Sequence, residues 1–147
     1  MFYSIKELVQ QAEENYNGSV ADLMIATEIE LTGRQEDEIR YIMSRNLEVM
    51  LASVKDGLNK EKSVSGLTGG DAFKLNQYIQ KGNTLSEPTI LTAARNAMAV
   101  NEQNAKMGLD CATPTAGSAG CIPAIISTAI EKLNLTAEEQ LDFLFTA

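Results

Sequence analysis

Apolar residues recur along this chain at spacings of three and four, the period of an α-helix, rather than in the alternation a half-buried strand requires. The clearest run is Ile39, Ile42, Met43, Leu47, Met50, Leu51 and Val54, one apolar stripe that predicts a long helix from about Gln35 to Leu58 facing a core. Only LDCAT, residues 109–113, could pass for a short strand.

Stop and start signals divide the rest. Ser4 with Glu7 three residues later is a capping box and predicts a helix over about residues 5–16, ended by Asn17-Gly18. Ser19 caps a second helix carrying Val20, Leu23, Met24, Ile29 and Leu31, and Thr32-Gly33 is its left-handed stop. NKEKSVSGLTGG, residues 59–70, has no period and reads as loop until Asp71 opens a short helix to about Lys81, closed by Gly82-Asn83. Glu87-Pro88 suits the first turn of a helix continuing to Met107 before Gly108. CATPTAGSAGCIP, residues 111–123, follows as a loop, with Pro123 in the first turn of a helix through about Leu133. Thr136 with Glu139 makes a second capping box, for a helix still running at Ala147. The ending EEQLDFLFTA has no cap or polar tail, so the chain is expected to be truncated inside a helix. The predicted fold is all-α: a single domain over residues 1–147, with about six to seven helices and two Gly-rich loops.

Composition narrows the chemistry. Lys and Arg number 12 against 20 Asp and Glu, a net charge of -8 with no local basic patch, which argues against binding nucleic acid or an anionic membrane. No run approaches the ~20 apolar residues of a membrane span, and residues 1–10 lack a signal peptide's basic start, so a cytoplasmic location is expected. The chain has no histidine, which removes the commonest general base and the commonest zinc ligand. A base must be Lys, Asp, Glu, Cys or Tyr, or come from another chain.

Three stretches break the helical pattern: SVSGLTGGD at 63–71, NEQN at 101–104 and the 111–123 loop. Asn101 and Asn104 share one helix face with Ala97 and Gly108, either as a wall of a site or as an ordinary solvated face. TPTAGSAG, residues 113–120, offers the hydroxyls of Thr113, Thr115 and Ser118 and the glycines Gly117 and Gly120 before a helix N-terminus. Its backbone N–H groups could cradle a carboxylate or phosphate, or the stretch could be a plain connection. The glycine spacing is not that of a P-loop. Cys111 and Cys121 stand ten residues apart and match no zinc knuckle, and two thiols cannot hold an iron–sulfur cluster, so they are expected to be buried as small apolar groups. A redox module closing a disulfide between them is a further possibility.

Taken in order, SVSGLTGGDA, AVNEQNAKMG and CATPTAGSAGCIPA resemble the alpha chain of the bacterial iron–sulfur-dependent L-serine dehydratases, over about the first half of that family's alpha chain. The resemblance implies deamination of L-serine to pyruvate and ammonia, as part of amino-acid degradation and gluconeogenesis. It implies a 4Fe-4S cluster acting as Lewis acid on the serine hydroxyl, with its cysteine ligands beyond residue 147, and no pyridoxal phosphate. It also implies a beta chain or beta domain as partner, which could supply the missing base, and an oligomeric enzyme. The matching positions are Ser63, Ser65, Gly69 and Gly70 in the first loop, Asn101, Glu102 and Asn104 on the helix, and Pro114, Thr115, Gly117 and Ser118 in the second loop. All are expected on the substrate side, the loops holding the serine carboxylate and the two asparagines orienting the amino group or a loop. No residue here is expected to bind metal, and the isolated chain is expected to be inactive. The alternative is a non-catalytic helical module that binds a small anion or a partner helix.

Overall fold

The computed structural model describes residues 2–113 and 115–147. The described residues form seven α-helices: α1 (Ile5–Tyr16), α2 (Val20–Thr32), α3 (Glu36–Gly57), α4 (Asp71–Gln80), α5 (Pro88–Ala105), α6 (Cys121–Leu133) and α7 (Ala137–Thr146). A single 3-10 turn spans Ala116–Ser118, and no strand occurs among the described residues, so LDCAT is irregular chain. The fold is all-α, as the hydrophobic period predicts.

Local chemistry explains the boundaries. Ser19 and Thr136 accept from the backbone N–H three residues on, and Glu139 closes the second box by accepting from the Thr136 N–H at 2.7 Å. The first box is shifted by one residue: Ser4 accepts from the Glu7 N–H, but the Glu7 carboxylate accepts from Tyr3 rather than Ser4. Asn17, Gly33 and Asn134 end α1, α2 and α6 in the left-handed region. Two boundaries differ from expectation. α5 stops at Ala105, not Met107, because Met107 turns to φ 64° and Gly108 lies against the Gln103 side chain, where a Cβ would collide. α6 begins at Cys121, so Pro123 is its third residue, where a missing N–H still costs no intrahelical bond.

The chain forms two compact units, one comprising the residues up to Arg45 with Thr136–Ala147, the other Asn46–Leu135. In the first, Ala21, Ile25, Ile39 and Phe145 form a buried cluster with Ile29, Met43 and Leu141 packed against it. In the second, Val54, Val100 and Ala119 form another. The α3 stripe therefore serves two cores: Ile39 and Met43 belong to the first cluster and Val54 to the second.

In the second unit α5 is the central element. Ala99 and Val100 are fully buried. Gly57, at the end of α3, packs so closely that an added Cβ would lie 1.9 Å from the Ala99 carbonyl oxygen. Gly120, entering α6, lies against the Ala97 carbonyl, where a Cβ would come to 2.8 Å.

Candidate functional site

All three motifs fall in the second unit, and each is tied to α5. The first loop is tied at both ends. Asn59 caps the end of α3 by donating from Nδ2 to the Asp56 carbonyl, its Oδ1 accepts from the Glu61 N–H at 2.8 Å, and Lys106 Nζ donates to the same oxygen at 3.0 Å. At the other end the Glu102 carboxylate reaches the start of α4. Its Oε2 accepts from the Gly70 N–H at 2.8 Å, and its Oε1 from Asp71 and Ala72 at 2.8 and 3.1 Å. Gly70, the N-cap of α4, has no side chain to cap with, so Glu102 does the work of the missing cap. Glu102 and Lys106 are one helical turn apart, so one face of α5 clasps the loop.

Between these ends the loop folds on itself. The Ser63 N–H donates to the Thr68 carbonyl at 2.8 Å, the Thr68 N–H donates to Ser63 Oγ at 3.3 Å, and the Ser63 and Ser65 hydroxyls lie 3.1 Å apart. Ser63 is buried and Ser65 exposed. Gly69, at φ 116°, passes so near the Glu61 carbonyl that a Cβ would sit 2.2 Å from it, which explains a glycine there in steric terms.

The second loop is ordered by its own hydroxyls. The Thr115 side chain accepts from the Ser118 N–H, Ser118 Oγ accepts from the Thr115 N–H at 3.3 Å, and the Ser118 hydroxyl donates to the Thr113 carbonyl at 3.0 Å. Thr115 and Gly117 are exposed and Ser118 half-buried, while Pro114 lies outside the described residues. Two oxygens of this loop, Asp110 Oδ2 and Thr113 Oγ1, are buried with no hydrogen-bond partner among the described residues.

Asn101 and Asn104 stand on one exposed face of α5, and their side-chain amides make no hydrogen bond within the described residues. Along α5, Ala97 under the second loop and Glu102 under the first are ~7.5 Å apart. Both loops are thus docked within about one and a half turns of the helix that presents the two asparagines. The site residues divide accordingly: Asn101, Asn104, Thr115 and Gly117 face solvent, whereas Ser63, Gly69, Gly70 and Glu102 are buried and hold the loop in place.

The cysteines are not buried as expected. Cys121 is exposed and Cys111 half-buried, because α6 starts at Cys121 and turns its side chain outward. Both are free thiols, and Cys111 Sγ lies 3.6 Å from the Asn46 carbonyl. Partial burial, reinforced by the neighbouring Asp110 carboxylate, pushes the Cys111 thiol above its ordinary value.

A polar network joining α4, α5 and α6 was not foreseen. Asn96, fully buried, donates from Nδ2 to the Ser127 and Thr128 hydroxyls at 2.8 and 3.2 Å. Arg95 donates to Asn96 Oδ1 through Nε and Nη2 at 3.0 and 2.7 Å, and to Asn76 Oδ1 through Nη1 at 2.9 Å. The signal lay in the period itself, since Thr92, Asn96 and Val100 recur every fourth residue and all are buried. The apolar groove lined by Met24, Ile39, Ile42, Met43, Leu144 and Phe145 belongs to the first unit, which carries none of the motifs.

These features define a helical protein whose second unit docks two Gly-rich loops on one asparagine-bearing helix. The chain belongs to the serine dehydratase alpha chain family, which it matches over residues 15–147. It is 49% identical over 147 residues to a probable L-serine dehydratase, alpha chain, of Bacillus subtilis (strain 168), covering 100% of this chain and 49% of that one. It is 53% identical over 58 residues to a probable L-serine dehydratase, alpha chain, of Latilactobacillus sakei, covering 40% of this chain and 28% of that one. It is 30% identical over 135 residues to the L-serine dehydratase, alpha chain, of Peptoniphilus asaccharolyticus, covering 91% of this chain and 46% of that one. The chain thus spans less than half the length of each of these relatives. No solved structure gives a significant match.

Proposed function

We propose that this chain supplies the substrate-side loops of an L-serine dehydratase. The overall reaction removes the α-proton and the β-hydroxyl of L-serine as water, and the resulting enamine rearranges and hydrolyses to pyruvate and ammonia. The observation that carries this reading is the docking of both motif loops on α5 beside Asn101 and Asn104, in a chain of this family. Exposed amides that make no internal hydrogen bond are suited to orient the polar groups of an amino acid. Thr115 and Ser118 bond to each other and so order the turn in which the exposed Gly117 offers its backbone N–H to a substrate carboxylate. Asp110 Oδ2 and Thr113 Oγ1, buried without partners, support a second loop whose polar groups are completed by substrate or by another polypeptide.

An iron–sulfur cluster does not fit the residues present. A 4Fe-4S cluster takes three or four thiolates, the chain has two cysteines, and among the described residues no group of three His, Cys, Asp or Glu could hold a metal ion. The ligands of such a cluster, and a base if it is histidine, belong to sequence outside these residues, including a beta chain or beta domain. No helix among the described residues is long and apolar enough to cross a membrane. The complete enzyme is read as a cytoplasmic oligomer.

The test is anaerobic production of the complete enzyme with its beta partner and assay of pyruvate from L-serine. Asn101→Ala and Thr115→Ala are each expected to raise KM for L-serine about tenfold or more, as loss of a buried or charge-assisted hydrogen bond does. An iron-replete complex that makes no pyruvate would sink the reading, and so would unchanged kinetics in the Asn101→Ala, Thr115→Ala double variant.

A further inference from the structure

The geometry points to Glu102 as a positioning residue that latches the first loop to α5, rather than as a contact to substrate. This rests on the reading that the first loop serves the substrate side of the enzyme.

A carboxylate buried to 7% exposure is costly unless its oxygens are satisfied. Here both oxygens are occupied by backbone donors, one by Gly70 and the other by Asp71 and Ala72. The three N–H groups belong to the first turn of α4, where the helix dipole also favours negative charge. Such a cluster of donors is what a substrate carboxylate would seek, and Glu102 fills it. The α4 N-terminus is therefore not available to the substrate while the latch is closed, which leaves that task to the second loop.

The rest of the loop agrees with a latch. Gly69 and Gly70 take φ values of 116° and 86°, and Gly69 passes against the Glu61 carbonyl too closely for any side chain. That backbone path carries the Gly70, Asp71 and Ala72 N–H groups to Glu102. One turn further along α5, Lys106 holds the opposite end of the loop through Asn59. Cutting the Glu102 link frees the α4 end of the loop and leaves the Asn59 end tied.

The experiment uses the complete enzyme and reads two signals. Amide hydrogen exchange by mass spectrometry over residues 68–75 is expected to speed up about tenfold or more in Glu102→Gln, since an amide NH2 now faces the helix donors. KM for L-serine is expected to rise about tenfold while kcat changes by less than about threefold, because a misplaced loop weakens binding before it touches chemistry. Glu102→Ala opens a carboxylate-sized space at the helix start, and formate in the tens of millimolar, roughly the range of a weak site, is expected to restore slow exchange and low KM together. Exchange over 68–75 that is unchanged in both variants overturns the latch, whatever the activity. Faster exchange with unchanged KM overturns the positioning role. Saturating L-serine that speeds exchange at 68–75 in the unmodified enzyme overturns the exclusion of substrate from the α4 start. A complex that never deaminates serine fails the functional reading instead, and exchange with formate rescue then decides the latch alone.

Discussion

At Asn96 a single amide ties α5 to α6 and holds the Arg95 guanidinium that reaches Asn76 on α4. It takes two donors from Arg95 on its oxygen and gives two hydrogen bonds to Ser127 and Thr128 from its nitrogen, so all of its capacity is used inside the protein. Asn96→Ala removes the shared acceptor and leaves a mostly buried guanidinium short of partners, which is expected to cost about 3 kcal/mol in urea unfolding. Asn96→Asp keeps the acceptor and is expected to lose the bonds to the hydroxyls instead. The thiols make a second case at this scale. Cys121 is exposed, whereas Cys111 is half-buried and its thiol is pushed above its ordinary value by burial and by the Asp110 charge. Iodoacetamide at neutral pH is therefore expected to modify Cys121 first, read by peptide mass spectrometry, and equal rates at both would contradict that environment. The four-residue recurrence of Thr92, Asn96 and Val100 hinted at the first fact, whereas no signal in the sequence pointed to the second. A lone Asn on a helix looks like any solvated amide until its position on the buried stripe is known, and a cysteine's exposure depends on where the following helix begins.

Helices were far more readable than side-chain environments, because caps and glycine stops act within a few residues of themselves. Ser19, Thr136, Gly33 and Asn17 perform the roles their types predict. The start of α4 was the exception: Gly70 offers no cap, and the group that replaces it comes from Glu102, more than thirty residues away. No local rule can find a cap supplied through tertiary contact. Local caps also set an acid response. The Glu139 carboxyl is held below its ordinary value first by the Thr136 backbone N–H and then by the Thr136 hydroxyl. A depressed folded value means that this stabilisation is full above the ordinary glutamate value and is lost as pH falls through the folded one. Thermal melts are thus expected to show a loss of stability as pH falls below the ordinary glutamate range, and Glu139→Gln should flatten that part of the pH dependence. The α3–α5 crossing makes a steric demand of its own. With a Cβ position 1.9 Å from a backbone oxygen, Gly57→Ala cannot be relieved by a rotamer change, and a loss of about 2 kcal/mol or more is expected by denaturant titration.

For the molecule as a whole, the decisive quantities are what the chain contains and what its chemistry would need. Serine deamination needs a base for the α-proton and a means of expelling hydroxide as water. Two cysteines and no histidine in a chain that spans 49% of its Bacillus subtilis relative cannot supply a thiolate-held cluster. What the chain does supply is a scaffold: α5 carries two exposed asparagines and holds one loop through Glu102 and Lys106 and the other through the close approach of Gly120 to Ala97. The division of labour that follows is testable without any assay of turnover. Anaerobic reconstitution of these 147 residues with iron and sulfide is expected to give no charge-transfer absorbance, whereas the complete enzyme with a beta partner is expected, on the proposed function, to give it. On the proposed reading, in which the cluster ligands lie outside these residues, alanine at both Cys111 and Cys121 is expected to leave that absorbance unchanged in the complete enzyme. Loss of the cluster in that double variant, with helical content preserved by circular dichroism, would place a ligand in the second loop. It would then bring the cluster to this chain rather than to sequence outside it.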